Sequence, residues 1–258
     1  MKNLRQVFER GEVALGCFSL MVEPMFVEVL GAAGFDFVIL DCEEANGDSY
    51  GGRLDALVRA SEAADLVPTA RVVENSAGAI NRALNAGNQL LFIPHVRTVE
   101  DAVSAAEAMR YPPRGRRGAA PVMRAAKYGL EDWHQYHLRT NEQNQLFVMI
   151  EDQEAVHNIE EIVKVDGVDG VLVGTWDLAV EMGCADYGPP APPVMEHVEH
   201  VIRVTREAGL VMSAHGWSGE AAAKYVELGC QLLIVSLDST LLLKGLQGLE
   251  AEVAAIRG

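Results

Sequence analysis

Phe37-Val38-Ile39-Leu40, followed at once by Asp41-Cys42-Glu43-Glu44, is the stretch from which the fold of this chain can be read. Four apolar residues in a row leave no polar face, which predicts a strand covered on both sides, as in a parallel sheet under helices. Leu232-Leu233-Ile234-Val235 repeats the pattern near the other end of the chain. Working outward from these two, strands are predicted over Val13–Phe18, Phe35–Asp41, Pro68–Val72, Gln89–Val96, Gln145–Glu151, Asp169–Gly174, Leu210–His215 and Gln231–Ser236. Helical periodicity fills the gaps, over Met25–Gly34, Arg53–Asp65, Ala77–Gly87, Val99–Met109, Gln153–Val163, Val194–Ala208 and Gly219–Gly229. A last, extended helix follows from about Ser239 to Ile256. Several helices run into a glycine (Gly34, Gly87, Gly209, Gly229), the residue type that stops a helix in a left-handed conformation. Eight strands alternating with helices predict an α/β protein, a closed (β/α)8 TIM barrel forming a single domain over residues 1–258. An open doubly wound sheet is disfavoured, because no GxGxxG follows the first strand.

The spacing breaks once, between the fourth and fifth strands. Residues Arg110–Asn144 open with Arg110-Tyr111-Pro112-Pro113-Arg114-Gly115-Arg116-Arg117-Gly118 and continue into an extra helix predicted over Leu130–Arg139. An excursion this long serves as a lid or a subunit contact, or else packs on the barrel rim.

Composition narrows the function. Lys plus Arg number 21 against 37 Asp plus Glu, a formal charge of -16, which repels phosphate backbones and anionic membrane surfaces. Nucleic acid and membranes are thus not expected partners. The hydrophobic fraction of 49% suits a large core, and no apolar run reaches the roughly 18 residues that span a bilayer. Cysteines at 17, 42, 184 and 230 show no CxxC or metal-ligand spacing, so reduced thiols in a cytoplasmic protein are expected. The N-terminus lacks the apolar core of a signal peptide.

In a barrel of this kind, side chains at the C-terminal ends of strands face the active site. The polar residues predicted there are Asp41, Glu43 and Glu44, Arg71, Glu151 and Asp152, the turn Gly174-Thr175-Trp176-Asp177, and His215. Glu151 and Asp177, from adjacent strands, form a carboxylate pair suited to a hard divalent cation that keeps open positions for substrate and water. Asp177 also stands where a residue could cap the helix beginning at Leu178. Arg71 offers a planar fork for a carboxylate, or else a structural ion-pair partner. The backbone of Gly174, Thr175 and Trp176 offers N–H groups at a helix start. His95 and His215 are potential acid/base groups, with a hydrogen-bonded structural role as the plainer reading.

The chain resembles the HpcH/HpaI family of class II 2-oxo-acid aldolases. The resemblance rests on Gly34-Phe35-Asp36-Phe37-Val38-Ile39-Leu40-Asp41, Arg110-Tyr111-Pro112-Pro113 with Arg117-Gly118, and Ile150-Glu151 before Glu154-Ala155. It extends through Val168-Asp169-Gly170-Val171-Leu172-Val173-Gly174 with Asp177-Leu178 and ends in Leu228-Gly229 and Asp238-Ser239-Thr240-Leu241-Leu242. The resemblance implies a lyase that cleaves a 4-hydroxy-2-oxo acid to pyruvate, or an analogue, and an aldehyde through a metal-stabilised enolate. It implies Mg²⁺, Mn²⁺ or Co²⁺ held by Glu151 and Asp177, pyruvate bound by Arg71, and a substrate carboxylate on the backbone of Gly174 to Asp177. A homo-oligomer is also implied, a hexamer or trimer of dimers with exchanged C-terminal helices. Arg124 in the excursion is the candidate for the distal end of the substrate, and Trp176 for narrowing the acceptor pocket.

Three positions depart from the family pattern. Asp41-Cys42-Glu43-Glu44 stands where Asp-x-Glu-His is usual, so Glu44 replaces a proton-transferring histidine. Asn85 stands near an acidic position that the family supplies from a neighbouring subunit, and Gly174-Thr175-Trp176-Asp177 replaces Gly-Pro-x-Asp. Three readings follow: a partly buried Glu44 works as the base, with Asp41 or Glu43 helping to hold the water; the reaction has changed, as toward a citrate-lyase-β-like cleavage; or a 2-oxo acid is bound without turnover.

Overall fold

The computed structural model describes residues 2–45, 53–184, 191–254 and 256. Eight parallel strands close in sequence order into a barrel: β1 (Ala14–Ser19), β2 (Phe37–Asp41), β3 (Val67–Arg71), β4 (Leu90–Ile93), β5 (Gln145–Ile150), β6 (Gly170–Val173), β7 (Val211–His215) and β8 (Leu232–Leu237). Around them lie α1 (Leu4–Glu9), α2 (Pro24–Ala32), α3 (Leu54–Ala63), α4 (Ala77–Ala86), α5 (Val99–Met109), α6 (Trp133–Gln143), α7 (Gln153–Ile162), α8 (Thr175–Glu181), α9 (Pro192–Glu207), α10 (Gly219–Glu227) and α11 (Asp238–Ala254). All eight predicted strands are present. Gly34, Gly87, Gly209 and Gly229 all take positive φ, between 74° and 112°, at the helix ends they were expected to stop.

Strands with no polar face result from two separate cores. Val38, Leu40, Leu91, Ile93, Val148 and Ile150 point outward under the helices. Phe37, Ile39, Phe92, Phe147, Met149, Leu172 and Ile234 fill the lumen, where the rings of Phe92 and Phe147 meet edge-on at 5.4 Å. Two glycines make room for this layer. A Cβ on Gly16 would sit 2.4 Å from the Phe37 ring, and one on Gly170 would sit 2.5 Å from the Phe147 ring. The short α1, not anticipated from the sequence, closes the N-terminal end of the lumen with Leu4 and Phe8.

The excursion between α5 and β5 holds a 3-10 segment (Arg124–Gly129) and α6. Because it leaves the end of a helix and enters the start of a strand, it lies at the N-terminal end of the barrel. It therefore cannot be a lid over this chain's own mouth. Its Arg110 is structural, donating to Gly167 O at 2.9 Å and facing Asp169 at 3.4 Å. Tyr111, Ala126 and Tyr136 form a small core of their own, with Arg117 over the Tyr111 ring at 4.5 Å. α11 leaves Leu241, Leu242, Leu243, Leu246 and Leu249 between 40% and 57% exposed, an apolar stripe of the kind partner surfaces cover. Among the described residues no helix is long and apolar enough to cross a membrane.

Candidate active site at the barrel mouth

Asp41 and Arg71 end neighbouring strands in register, so their side chains leave the sheet together. Arg71 Nε donates to Asp41 Oδ1 at 2.9 Å and Nη2 to Oδ2 at 2.6 Å, a two-pronged pair around a carboxylate with no solvent exposure. Asp41 Oδ1 also accepts the backbone N–H of Glu43 at 3.1 Å and of Glu44 at 3.4 Å. This local turn sends Glu43 inward, where its Oε2 meets Arg71 Nη1 at 2.7 Å and its Oε1 meets His95 Nε2 at 3.2 Å.

His95 leaves β4 just past Pro94 with φ +56°, a left-handed conformation that costs a non-glycine residue roughly 1 kcal/mol or more. The surroundings hold it there: its N–H donates to Glu151 Oε1 at 2.5 Å, and its ring Nδ1 lies 3.0 Å from the same oxygen. Glu151, just beyond β5, is 3% exposed. It can pass β6 only because residue 174 is glycine, since a Cβ there would stand 2.5 Å from Glu151 Cβ. Asp41, Arg71, Glu43, His95 and Glu151 thus form one continuous polar chain across four strand ends.

The electrostatics follow from this crowding. Burial pushes the Glu43 carboxyl up to about 7, with Glu151 and Asp41 adding to the rise while Arg71 and His95 hold it back. Burial also raises Glu151; Asp177 raises it further, against the His95 N–H and the charges of His95 and Arg71. Burial works against the Arg71 charge, but the Asp41 hydrogen bonds and the charges of Asp41, Glu43 and Glu151 keep its pKa above the ordinary value.

Asp177 lies in the first turn of α8, where an acid favours the helix dipole. It is exposed and caps nothing, because the N-cap is Gly174 with no side-chain cap bond. Thr175 is buried and Trp176 is 53% exposed at the lip. Two expectations are corrected. Glu44 is exposed, so beside the fully buried Asp41 the carboxylate that turns into the site is the half-buried Glu43. Arg124 is at the opposite end of the barrel, bound to Ala86 O at 3.0 Å and to the Glu62 carboxylate. Asn85 also lies away from the mouth, accepting from Arg117 at 3.0 Å. His95, which the sequence offered as a potential acid/base group with a structural role as the plainer reading, is central to this chain of contacts. Its place at a strand end was visible, but not its two carboxylate neighbours.

His215, at the end of β7, is the other histidine of the mouth. Burial, with the Arg71 charge, lowers it from its ordinary 6.5 to about 4. The fold therefore favours the neutral ring. That stability is fully present above pH 6.5 and is lost as pH falls toward 4, about 3 kcal/mol in all. Urea unfolding at pH 7 and pH 4.5 should show a smaller loss in His215→Phe than in the wild type; equal losses would assign the acid sensitivity elsewhere.

A parallel barrel with converging carboxylates and an arginine at its C-terminal mouth defines the class, a (β/α)8 barrel enzyme. The model of the HpcH/HpaI aldolase/citrate lyase family matches residues 14–244, and the chain belongs to that family. The chain is accordingly a carbon–carbon lyase. It is 32% identical over 252 residues to the hydroxypyruvate/pyruvate aldolase of Pseudomonas aeruginosa, covering 96% of this chain and 91% of that one. It is 31% identical over 258 residues to the 4-hydroxy-2-oxo-heptane-1,7-dioate aldolase of Shigella sonnei, covering 98% and 95%. Among solved structures, citrate synthase SbnG superposes with a TM-score of 0.89 at 28% identity, covering 98% of each chain.

Proposed function

We propose that this enzyme is a divalent-metal-dependent aldolase that cleaves a 4-hydroxy-2-oxo acid to pyruvate, or a close analogue, and an aldehyde. The observation that carries this reading is Glu151, a buried carboxylate pushed toward its neutral form by desolvation and by Asp177. A cation between the two would relieve both effects. Among the described residues no three His, Cys, Asp or Glu side chains are grouped to hold a metal. Two carboxylates leave the rest of the coordination shell to substrate and water, which suits Mg²⁺, Mn²⁺ or Co²⁺. When bound, the cation supplies Lewis-acid polarisation of the 2-oxo carbonyl.

The chain's own residues do the rest. Arg71 stays charged and retains N–H donors beyond those given to Asp41 and Glu43, enough to bind substrate oxygen where enolate charge develops. Asp41 fixes the guanidinium plane from below. The Gly174 N–H is given to Ile150 O at 2.9 Å, against the expectation that it holds substrate, so the remaining backbone donors are Thr175 and Trp176. α8 has only seven residues and adds little dipole, so Arg71 is the main anion partner. Glu43, which turns into the site, is the carboxylate that would hold the water and take a proton. A citrate-synthase-like condensation would instead form the enolate on an acetyl donor and use the 2-oxo acid as the acceptor.

The test is deuterium exchange at C3 of pyruvate, followed by NMR with Mg²⁺, Mn²⁺ and Co²⁺ in turn. Metal-dependent exchange is expected with at least one cation. Tight pyruvate or oxalate binding without exchange under any of them would make the chain a binding protein and overturn the aldolase reading.

A further inference from the structure

The mouth has an aromatic side that the carboxylate chemistry does not use. The His215 ring lies parallel to Trp217, with centroids 5.1 Å apart and planes within 1°, and it stacks on Phe18 at 5.8 Å. The Arg71 guanidinium lies over the Phe18 ring at 5.2 Å. Trp217, His215, Phe18 and Arg71 are therefore one continuous series of flat groups that ends on the proposed pyruvate-binding arginine. Its outer part carries no charge, because His215 is held neutral near physiological pH. Trp176, in α8 just after the neighbouring strand β6, adds an exposed indole beside the half-buried Trp217.

Charge at the same rim points the same way. Three cations stand at a strand end or between it and the next helix, Arg53, Arg71 and Arg97, and each already faces a carboxylate. Arg53 faces Glu23 at 3.8 Å, Arg71 faces Asp41 and Glu43, and Arg97 faces Asp152 at 2.5 Å. The segments 46–52 and 185–190 contain no Lys or Arg. Glu44 and Asp177 are exposed on this rim with no ion-pair partner among the described residues. An acceptor with a distal carboxylate would enter a negative field in which, among the described residues, each of these three cations already faces a carboxylate. An uncharged ring could stack on the Trp217 indole, which is partly exposed at the outer end of the series.

We propose that the acceptor aldehyde is an uncharged aromatic aldehyde whose ring seats against Trp217, the outer member of the series. This assignment rests on the aldolase reading above. In the addition direction pyruvate C3 gives up a proton to a mouth carboxylate and bonds to the aldehyde carbon, and the aldehyde oxygen takes up a proton. The product, a 4-aryl-4-hydroxy-2-oxobutanoate, is the sum of the two reactants, and cleavage is the reverse.

The experiment compares benzaldehyde with succinate semialdehyde as acceptors for pyruvate, using the purified enzyme with Mn²⁺, while C3 deuterium exchange is followed in parallel. Benzaldehyde is expected to have the higher kcat/KM by about tenfold or more. Trp217→Ala should lower the benzaldehyde-to-semialdehyde ratio about tenfold, and Trp217→Phe should restore most of it. Exchange with an equal or better use of succinate semialdehyde would overturn the aromatic assignment and leave the aldolase reading standing. A ratio unchanged in Trp217→Ala would do the same. Absence of exchange under Mg²⁺, Mn²⁺ and Co²⁺ alike would overturn the aldolase reading, and the acceptor assignment with it.

Discussion

Glu151→Gln is expected to abolish divalent-cation binding and to lower pyruvate C3 exchange by about a thousandfold or more, while leaving the metal-free protein at least as stable as the wild type at pH 7. Both halves follow from the same geometry. Gln keeps the volume and an oxygen to accept the His95 N–H, now at 2.5 Å, so the loop after β4 has no reason to move. It removes the charge that would hold the cation. That charge is also costly in the empty site, because burial and Asp177 raise the Glu151 pKa. A group raised in the folded state stabilises at low pH and loses that contribution as pH climbs through its folded value, so a neutral replacement gains most at neutral pH. Calorimetric titration with Mn²⁺ and a thermal melt without metal check the two halves. Normal Mn²⁺ affinity in the variant would show that the cation, if any, sits elsewhere.

Arg71→Met should have the largest effect on the fold itself, a loss of about 3–5 kcal/mol, because it strands a fully buried carboxylate. Asp41 would keep only the weak N–H bonds from Glu43 and Glu44 in place of the two-pronged pair. Glu43 would lose its cation as well. Arg71→Lys retains the charge without the fork and should fall between the wild type and Met. Adding Asp41→Asn to Arg71→Met should recover part of the loss, since no charge is then left uncompensated. Urea unfolding of the four proteins measures this. A loss under 1 kcal/mol in Arg71→Met would mean that the pair orients the site without holding up the barrel.

How much of the site could be read in advance varies from residue to residue. Glu151 drew attention because it directly follows an apolar run, and Asp177 because it stands in the turn after the next one; a strand end in a barrel points to the mouth. Glu44 drew attention as a departure at an aligned position, yet the backbone turn on Asp41 Oδ1 sends its neighbour Glu43 inward and leaves Glu44 in solvent. Arg124 was misplaced for a reason already present in the order of elements. The excursion leaves a helix and enters a strand, and such connections lie at the N-terminal end of the barrel, away from the mouth.

The closed barrel, its eight strands, the main helices between them and their stop signals were determined by the sequence alone, while the short α1 was not legible there. Apolar runs, helical spacing and terminal glycines act over a few neighbouring residues, so the chain displays them directly. Tertiary structure alone decided which carboxylates are buried, that His95 links Glu43 to Glu151, that Gly174 lets Glu151 through, and that His215 stacks between Trp217 and Phe18. The physical reason is that desolvation, charge proximity and ring contact depend on distances in space. Those distances join the ends of separate strands, and no local pattern along the chain records which side chain comes to rest beside which.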